Sequence, residues 1–195
     1  MVIVGLTGGI GSGKTTIGKQ FESFGIPLYI ADDEAKALMN RSKVIKRKLI
    51  KLFGESAYKG NKLNRSYLSS KIFNDKELLD NMNAIVHPKV ASHFNRWLKK
   101  QKAPYVIKEA AIIFEHNKED QYDFIITVVA DEDLRIKRVL NRDNTTKEKI
   151  RTIIKNQLSD DEKVKRSDFV IVNDDLETAK QQAAEIHQSI LNAIK

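Results

Sequence analysis

Eight residues near the start of the chain, Gly8-Gly9-Ile10-Gly11-Ser12-Gly13-Lys14-Thr15, satisfy the pattern G-x-x-x-x-G-K-[ST] at every position. Few short patterns dictate so much architecture. The glycines let the loop curl until successive backbone N–H groups face inward and cradle phosphates. That works only if a strand delivers the chain to the loop and a helix N-terminus receives it, adding positive dipole potential. Both flanks are present. The run Val2-Ile3-Val4-Gly5-Leu6-Thr7 is nearly all apolar, as suits a parallel strand covered on both faces. Ile17, Phe21 and Phe24 then recur at helical spacing, and Gly25 stands where a helix C-cap would be. Lys14 is expected to reach the β- and γ-phosphates of a nucleotide, with the Thr15 hydroxyl on Mg²⁺. The expected ATP-binding set is Gly8, Gly9, Ile10, Gly11, Ser12, Gly13, Lys14, Thr15 and Thr16.

Downstream, residues 27–30 are expected to form a second short strand, followed by a polar, helical stretch from Asp33 to about Lys102 with a Gly60-Asn61 turn inside it. Further strands are expected at 105–107, 124–129 and 168–173. Between the last two lies a charged helical stretch with two capping-box spellings, Thr145-x-x-Glu148 and Ser159-x-x-Glu162. The last helix is expected to begin near Asp174-x-x-Glu177 and carries Ala179, Ala183, Ile186, Ile190 and Ile194 on one stripe. Strands alternating with helices predict a doubly wound, five-stranded parallel α/β sheet. The stretch after the second strand is too long for an ordinary crossover. It predicts an inserted helical substrate subdomain at 33–102, a nucleotide-binding core of 1–32, 103–137 and 166–195, and a lid at 138–165.

Composition narrows the function classes. Cysteine is absent, so neither disulfides nor thiolate metal sites are available. No apolar run is long enough to span a bilayer, and the first strand begins at Val2 with no basic segment ahead of it. No signal peptide and a cytoplasmic location are therefore expected. The net charge of +8 admits either nucleic-acid binding or steering of an anionic small substrate. No aromatic or groove-reading element accompanies it, so no nucleic-acid partner and no membrane partner is expected. Lys43, Lys46, Arg47, Lys48 and Lys51 cluster at helical spacing and read as a solvated face.

The loop alone fits small-molecule kinases, GTPases, motors and helicases. A chain of 195 residues is short for the last two. Asn117-Lys118-Glu119-Asp120 spells the guanine-reading N-K-x-D segment, but it precedes an expected strand instead of following one, so the spelling reads as coincidence. A small kinase with a helical insert and a lid fits best.

Several segments together resemble the dephospho-coenzyme A kinase family over essentially the whole chain. They are Leu6-Thr7-Gly8-Gly9-Ile10-Gly11-Ser12-Gly13-Lys14, Ala31-Asp32, Ile85-Val86-His87-Pro88-Lys89-Val90 and Ile112-Ile113-Phe114-Glu115. Arg138-x-x-x-Arg142-Asp143, Gln157, Glu162-Lys163 and Ser167-Asp168-Phe169-Val170-Ile171-x-Asn173 follow in family order. The resemblance implies transfer of the ATP γ-phosphoryl to the ribose 3′-hydroxyl of dephospho-coenzyme A. Those two small molecules are the expected partners, and a monomer is expected. A nucleoside or nucleotide kinase on the same scaffold is the alternative. The implied catalytic residues are Asp32, as base and orienter of the hydroxyl, with Lys14, Arg138 and Arg142, the last also touching ATP. Thr7, Asp32, His87 and Glu109 are expected to bind substrate, and Thr15 with Glu109, the latter through water, to hold Mg²⁺. Three positions depart from the family pattern. Ile30 stands where the family has a first Asp after strand two, Glu109-Ala110-Ala111 where it has Asp-x-Pro, and Ile153 where it has a lid Arg.

Overall fold

A computed structural model describes residues 1–73 and 75–195 as two compact units, Met1–Ile30 with Gln101–Lys195, and Ala31–Lys100. In chain order the elements are β1 (Val2–Thr7), α1 (Lys14–Ser23), β2 (Leu28–Ile30), α2 (Ala31–Arg41), α3 (Lys43–Phe53), β3 (Tyr58–Lys59), β4 (Lys62–Leu63), α4 (Arg65–Ile72) and α5 (Lys76–Leu98). Then come β5 (Tyr105–Glu109), β6 (Phe124–Val129), α6 (Glu132–Arg142), α7 (Lys147–Lys155), α8 (Asp160–Lys165), β7 (Phe169–Val172) and α9 (Leu176–Ala193).

The first unit is built on a five-stranded sheet of order β2-β5-β1-β6-β7, parallel throughout. Strand β1 is central, which explains its apolar run: both faces are covered. On one face Ile17 and Phe21 of α1 meet Ala183, Ile186 and Ile190 of α9 over Leu6, Ile107, Ile126 and Val128. Elsewhere in this unit Ile113, Phe114 and Ile125 form a second buried cluster, and Ile136, Val139 and Ile150 a third against which Ile10 packs. In an open parallel sheet of this kind ligands bind beyond the carboxyl ends of the strands, and Thr7 and Glu109 lie at two of those ends.

The second unit is mostly helical. Leu38, Ile45, Leu49, Phe53, Leu68, Val86, Val90 and Phe94 are among its buried apolar side chains. The Gly60-Asn61 turn is the tip of the β3–β4 hairpin, with Gly60 at φ 60°. Tyr58 donates to the carbonyl of Met39 at 2.7 Å, and burial pushes its hydroxyl up to about 12. Lys46 donates to the Gly60 carbonyl at 3.1 Å, while Lys43, Arg47, Lys48 and Lys51 are exposed. Trp97 stacks on Phe94, with ring centroids 5.9 Å apart. Pro88 sits inside α5, where it lacks the N–H that would bond the preceding turn.

Helix starts differ from the sequence expectation at two places. Helix α7 is capped by Thr146, not Thr145: Thr146 has extended backbone, and its hydroxyl accepts from the N–H of Lys149 at 3.4 Å. Helix α9 is capped by Asp175, which accepts from the Thr178 N–H at 2.8 Å. Asp174 instead accepts from the Asp131 N–H at 2.8 Å, tying the turn after β7 to the turn after β6. Ser159 caps α8 as its capping box predicts, accepting from Glu162 N–H at 3.2 Å. No described helix is long and apolar enough to cross a membrane.

Candidate active site

The loop between β1 and α1 holds three glycines in the left-handed half of φ, Gly8 at 147°, Gly11 at 78° and Gly13 at 93°. Gly9 is glycine for a different reason. A Cβ there would run into the guanidinium of Arg135. Lys14 reaches back over the loop, its ammonium donating to the carbonyls of Gly8 at 2.9 Å and Gly9 at 3.0 Å. Those partners are loop carbonyls that a phosphate oxygen can replace as acceptor. Thr15, in the first turn of α1, donates to Glu109 Oε1 at 3.0 Å. Glu109 ends β5 and is 7% exposed, and its strand register sets it beside Leu6 of β1 and Ile30 of β2. A hydroxyl and a carboxylate therefore converge beside the loop, both hard oxygen donors. Thr16 is exposed on α1, and Thr7 is fully buried, its hydroxyl donating to Ala111 O at 3.4 Å.

Three side chains from outside the motif grip the loop backbone. Gln157 Oε1 accepts from the N–H of Ile10 at 2.9 Å. Arg135 Nε donates to the carbonyl of Ile10 at 2.9 Å. Asn173, at the end of β7, donates to the carbonyl of Ser12 at 2.7 Å. Sequence reasoning missed Arg135 altogether. It has no motif spelling, and only the position of α6 below the loop reveals its role. Gln157 and Asn173 were noted by resemblance, without a contact.

The basic residues of α6 divide by burial. Arg138 is half-buried, and its Nη1 is buried with no hydrogen-bond acceptor among the described residues. Arg142 is exposed and forms a two-pronged pair with Asp143 at 2.9 and 2.7 Å. That pair raises the arginine above its ordinary pKa. Asp32 and His87 belong to the other unit. Asp32 lies in the first turn of α2, two residues past the end of β2, where a carboxylate complements the helix dipole. It is inside the helix and is not the cap. His87 is half-buried on α5, directly before Pro88. Asn117-Lys118-Glu119-Asp120 lies ahead of β6, with Asn117 in the left-handed region at φ 47° and Glu119 paired to Arg166.

Residues 2–178 match the family described as dephospho-CoA kinase. The chain belongs to the dephospho-CoA kinase family. A Bacteroides fragilis protein named dephospho-CoA kinase is 39% identical over 172 residues, covering 88% of this chain and 84% of its own. One from Salinibacter ruber is 34% identical over 195 residues, covering 97% and 98%. A crystal structure of a Thermus thermophilus protein superposes with a TM-score of 0.89 at 29% identity, covering 97% of each chain. Within this dephospho-CoA kinase fold the phosphate loop is intact, and of the three departures noted above Glu109 keeps a carboxylate beside Thr15. Ile153 is exposed on α7.

Proposed function

We infer that the chain catalyses transfer of the ATP γ-phosphoryl group to the ribose 3′-hydroxyl of dephospho-coenzyme A, giving coenzyme A and ADP, the last step of coenzyme A biosynthesis. The observation that carries the reading is the Thr15–Glu109 contact at 3.0 Å beside Lys14, in a chain that matches the family from residue 2 to residue 178.

The loop amides and the N-terminus of α1 bind the nucleotide phosphates, and Lys14 turns from the Gly8 and Gly9 carbonyls to the β- and γ-phosphate oxygens. Thr15 directly, and Glu109 through water, would hold Mg²⁺, a hard cation that takes few protein ligands. Among the described residues no group of three His, Cys, Asp or Glu could hold a metal by itself, which suits that mode. When bound, the ion offsets charge on the phosphates. Asp32 accepts the proton of the 3′-hydroxyl as the new O–P bond forms. The bond from the γ-phosphorus to the β,γ-bridging oxygen breaks, and ADP departs. Residues 33–102 hold the acceptor, with His87 among its contacts, and Arg138 and Arg142 offset charge on the phosphoryl group in transit. The test is an ADP-release assay with dephospho-coenzyme A, AMP, CMP, dTMP and shikimate as acceptors. Dephospho-coenzyme A is expected to be turned over fastest, and faster turnover of AMP or CMP would make this a nucleotide kinase.

A further inference from the structure

The peptide of Ile10 is held from both ends. Its N–H donates to Gln157 and its carbonyl accepts from Arg135, each at 2.9 Å. Neither side chain is loose. Arg135 is 5% exposed, and its Nη1 donates to Asp160 Oδ2 at 2.7 Å. Its remaining nitrogen, Nη2, lies against Gly9 where a Cβ would otherwise be. Gln157 and Asp160 belong to the short link and first residue between α7 and α8, so one piece of chain supplies both the acceptor for Ile10 and the counter-ion for Arg135.

That piece is itself anchored from below. Glu115 Oε1 accepts from the Leu158 N–H at 3.1 Å and lies 3.0 Å from the ammonium of Lys163, which is fully buried. A buried charge pair is weak evidence for stability, since desolvation offsets most of the attraction, but it fixes geometry. The link carrying Gln157 and Asp160 is therefore fixed at Leu158 by Glu115 and five residues later by Lys163. The cost of moving it is the cost of uncovering that pair.

We propose that Arg135 is a positioning residue for the nucleotide: with Gln157 and Asp160 it clamps the Ile10 peptide, and this clamp holds the phosphate loop in its binding shape. The inference rests on the kinase reading for its consequence in turnover, but the clamp itself is a property of the loop. A loop whose amides already point inward binds phosphate without ordering itself first. The clamp makes this pre-organisation depend on the segment between α7 and α8, which lies far from the motif in sequence. A lysine at 135 keeps a charge for Asp160 but cannot hold the Ile10 carbonyl and the carboxylate at once, because it lacks the guanidinium's fork.

The test uses the full chain with Arg135→Lys and the milder Asp160→Asn, which alters a carboxylate that is partly exposed. Amide hydrogen exchange of the segment spanning Gly8 to Thr15 is measured together with a melting curve. Both variants are expected to exchange at least about tenfold faster there while melting within a few degrees of wild type, the scale of one charge-assisted hydrogen bond. In steady-state assays the KM for ATP is expected to rise about tenfold, with the KM for dephospho-coenzyme A within about twofold. Unchanged loop exchange in both variants would overturn the clamp, as would equal rises in both KM values. Failure of the wild type to phosphorylate dephospho-coenzyme A would overturn the activity reading instead, and the exchange result would still decide the clamp.

Discussion

Thr15 donates its hydroxyl to Glu109 Oε1 across 3.0 Å, joining the first turn of α1 to the carboxyl end of β5. The contact places a hard-oxygen pair beside the phosphate loop; a lone pair of the Thr15 hydroxyl and, through water, the Glu109 carboxylate are the kind of donors a hard divalent cation takes. Glu109→Gln keeps the shape and removes the charge. It is expected to weaken Mg·ATP binding about tenfold, roughly 1.4 kcal/mol, while leaving metal-free ATP binding unchanged. Calorimetric titration with and without Mg²⁺ measures both. Equal weakening under the two conditions would move Glu109 from the metal to a general structural role.

Asp32 stands two residues past β2 in the first turn of α2. If it takes the proton of the acceptor hydroxyl, Asp32→Asn should lower turnover by about 10²- to 10⁴-fold, roughly 3 to 5 kcal/mol of barrier, and leave ATP affinity alone. Single-turnover kinetics with an ATP-binding titration separates the two. A variant that retains more than about a tenth of wild-type turnover has lost no base.

Gly9→Ala inserts a methyl group where the Arg135 guanidinium lies. The backbone at Gly9 lies outside the left-handed region, so the penalty is packing and not strain. The buried guanidinium would have to leave Ile10 or Asp160, and each is a charge-assisted or carbonyl hydrogen bond of about 1 to 3 kcal/mol. A drop in melting temperature is expected, together with weaker ATP binding. Gly9→Ala combined with Arg135→Ala should cost less than the sum of the two, since the second removes the obstacle to the first. Additive losses would show that the methyl group is accommodated elsewhere.

The fold was legible where sequence periodicity and local chemistry agree. Val2–Thr7, the loop and α1 follow from one motif because the phosphate cradle needs that strand–turn–helix order. The capping box at Ser159 was readable for the same reason: cap and partner are three residues apart. Thr145 and Thr146 are both hydroxyl residues, so only the extended backbone at Thr146 decides between them. The clamp on Ile10 was not legible. Ile10 and Arg135 are 125 residues apart, and Ile10 and Gln157 are 147 apart. An arginine in an amphipathic helix looks the same in sequence whether its guanidinium meets water or a loop carbonyl. Lys163 shows the same limit, since a lysine in a charged hexapeptide helix gives no sign that it is fully buried against Glu115.

Behind the sheet, Tyr105 and His187 share a hydrogen bond of 2.7 Å between the hydroxyl and Nδ1, and Phe24 stacks on the imidazole with centroids 5.0 Å apart. The contact fastens α9 to β5 and to the end of α1. Burial raises the Tyr105 hydroxyl well above its ordinary range, so it stays protonated at every physiological pH. Burial also lowers His187 below its usual 6.5, favouring the neutral ring in the folded state. The unfolded chain therefore takes up a proton at His187 at higher pH than the folded chain does. Its contribution to stability is fully present above about pH 6.5 and is lost as pH falls from there toward the folded value. His187→Gln removes the titration and keeps a polar side chain. Between about pH 7.5 and pH 5 the melting temperature of the wild type is expected to fall further than that of the variant, with the two curves closest at the acidic end. A wild-type curve parallel to the variant's across that range would show that His187 titrates alike in the folded and unfolded chains.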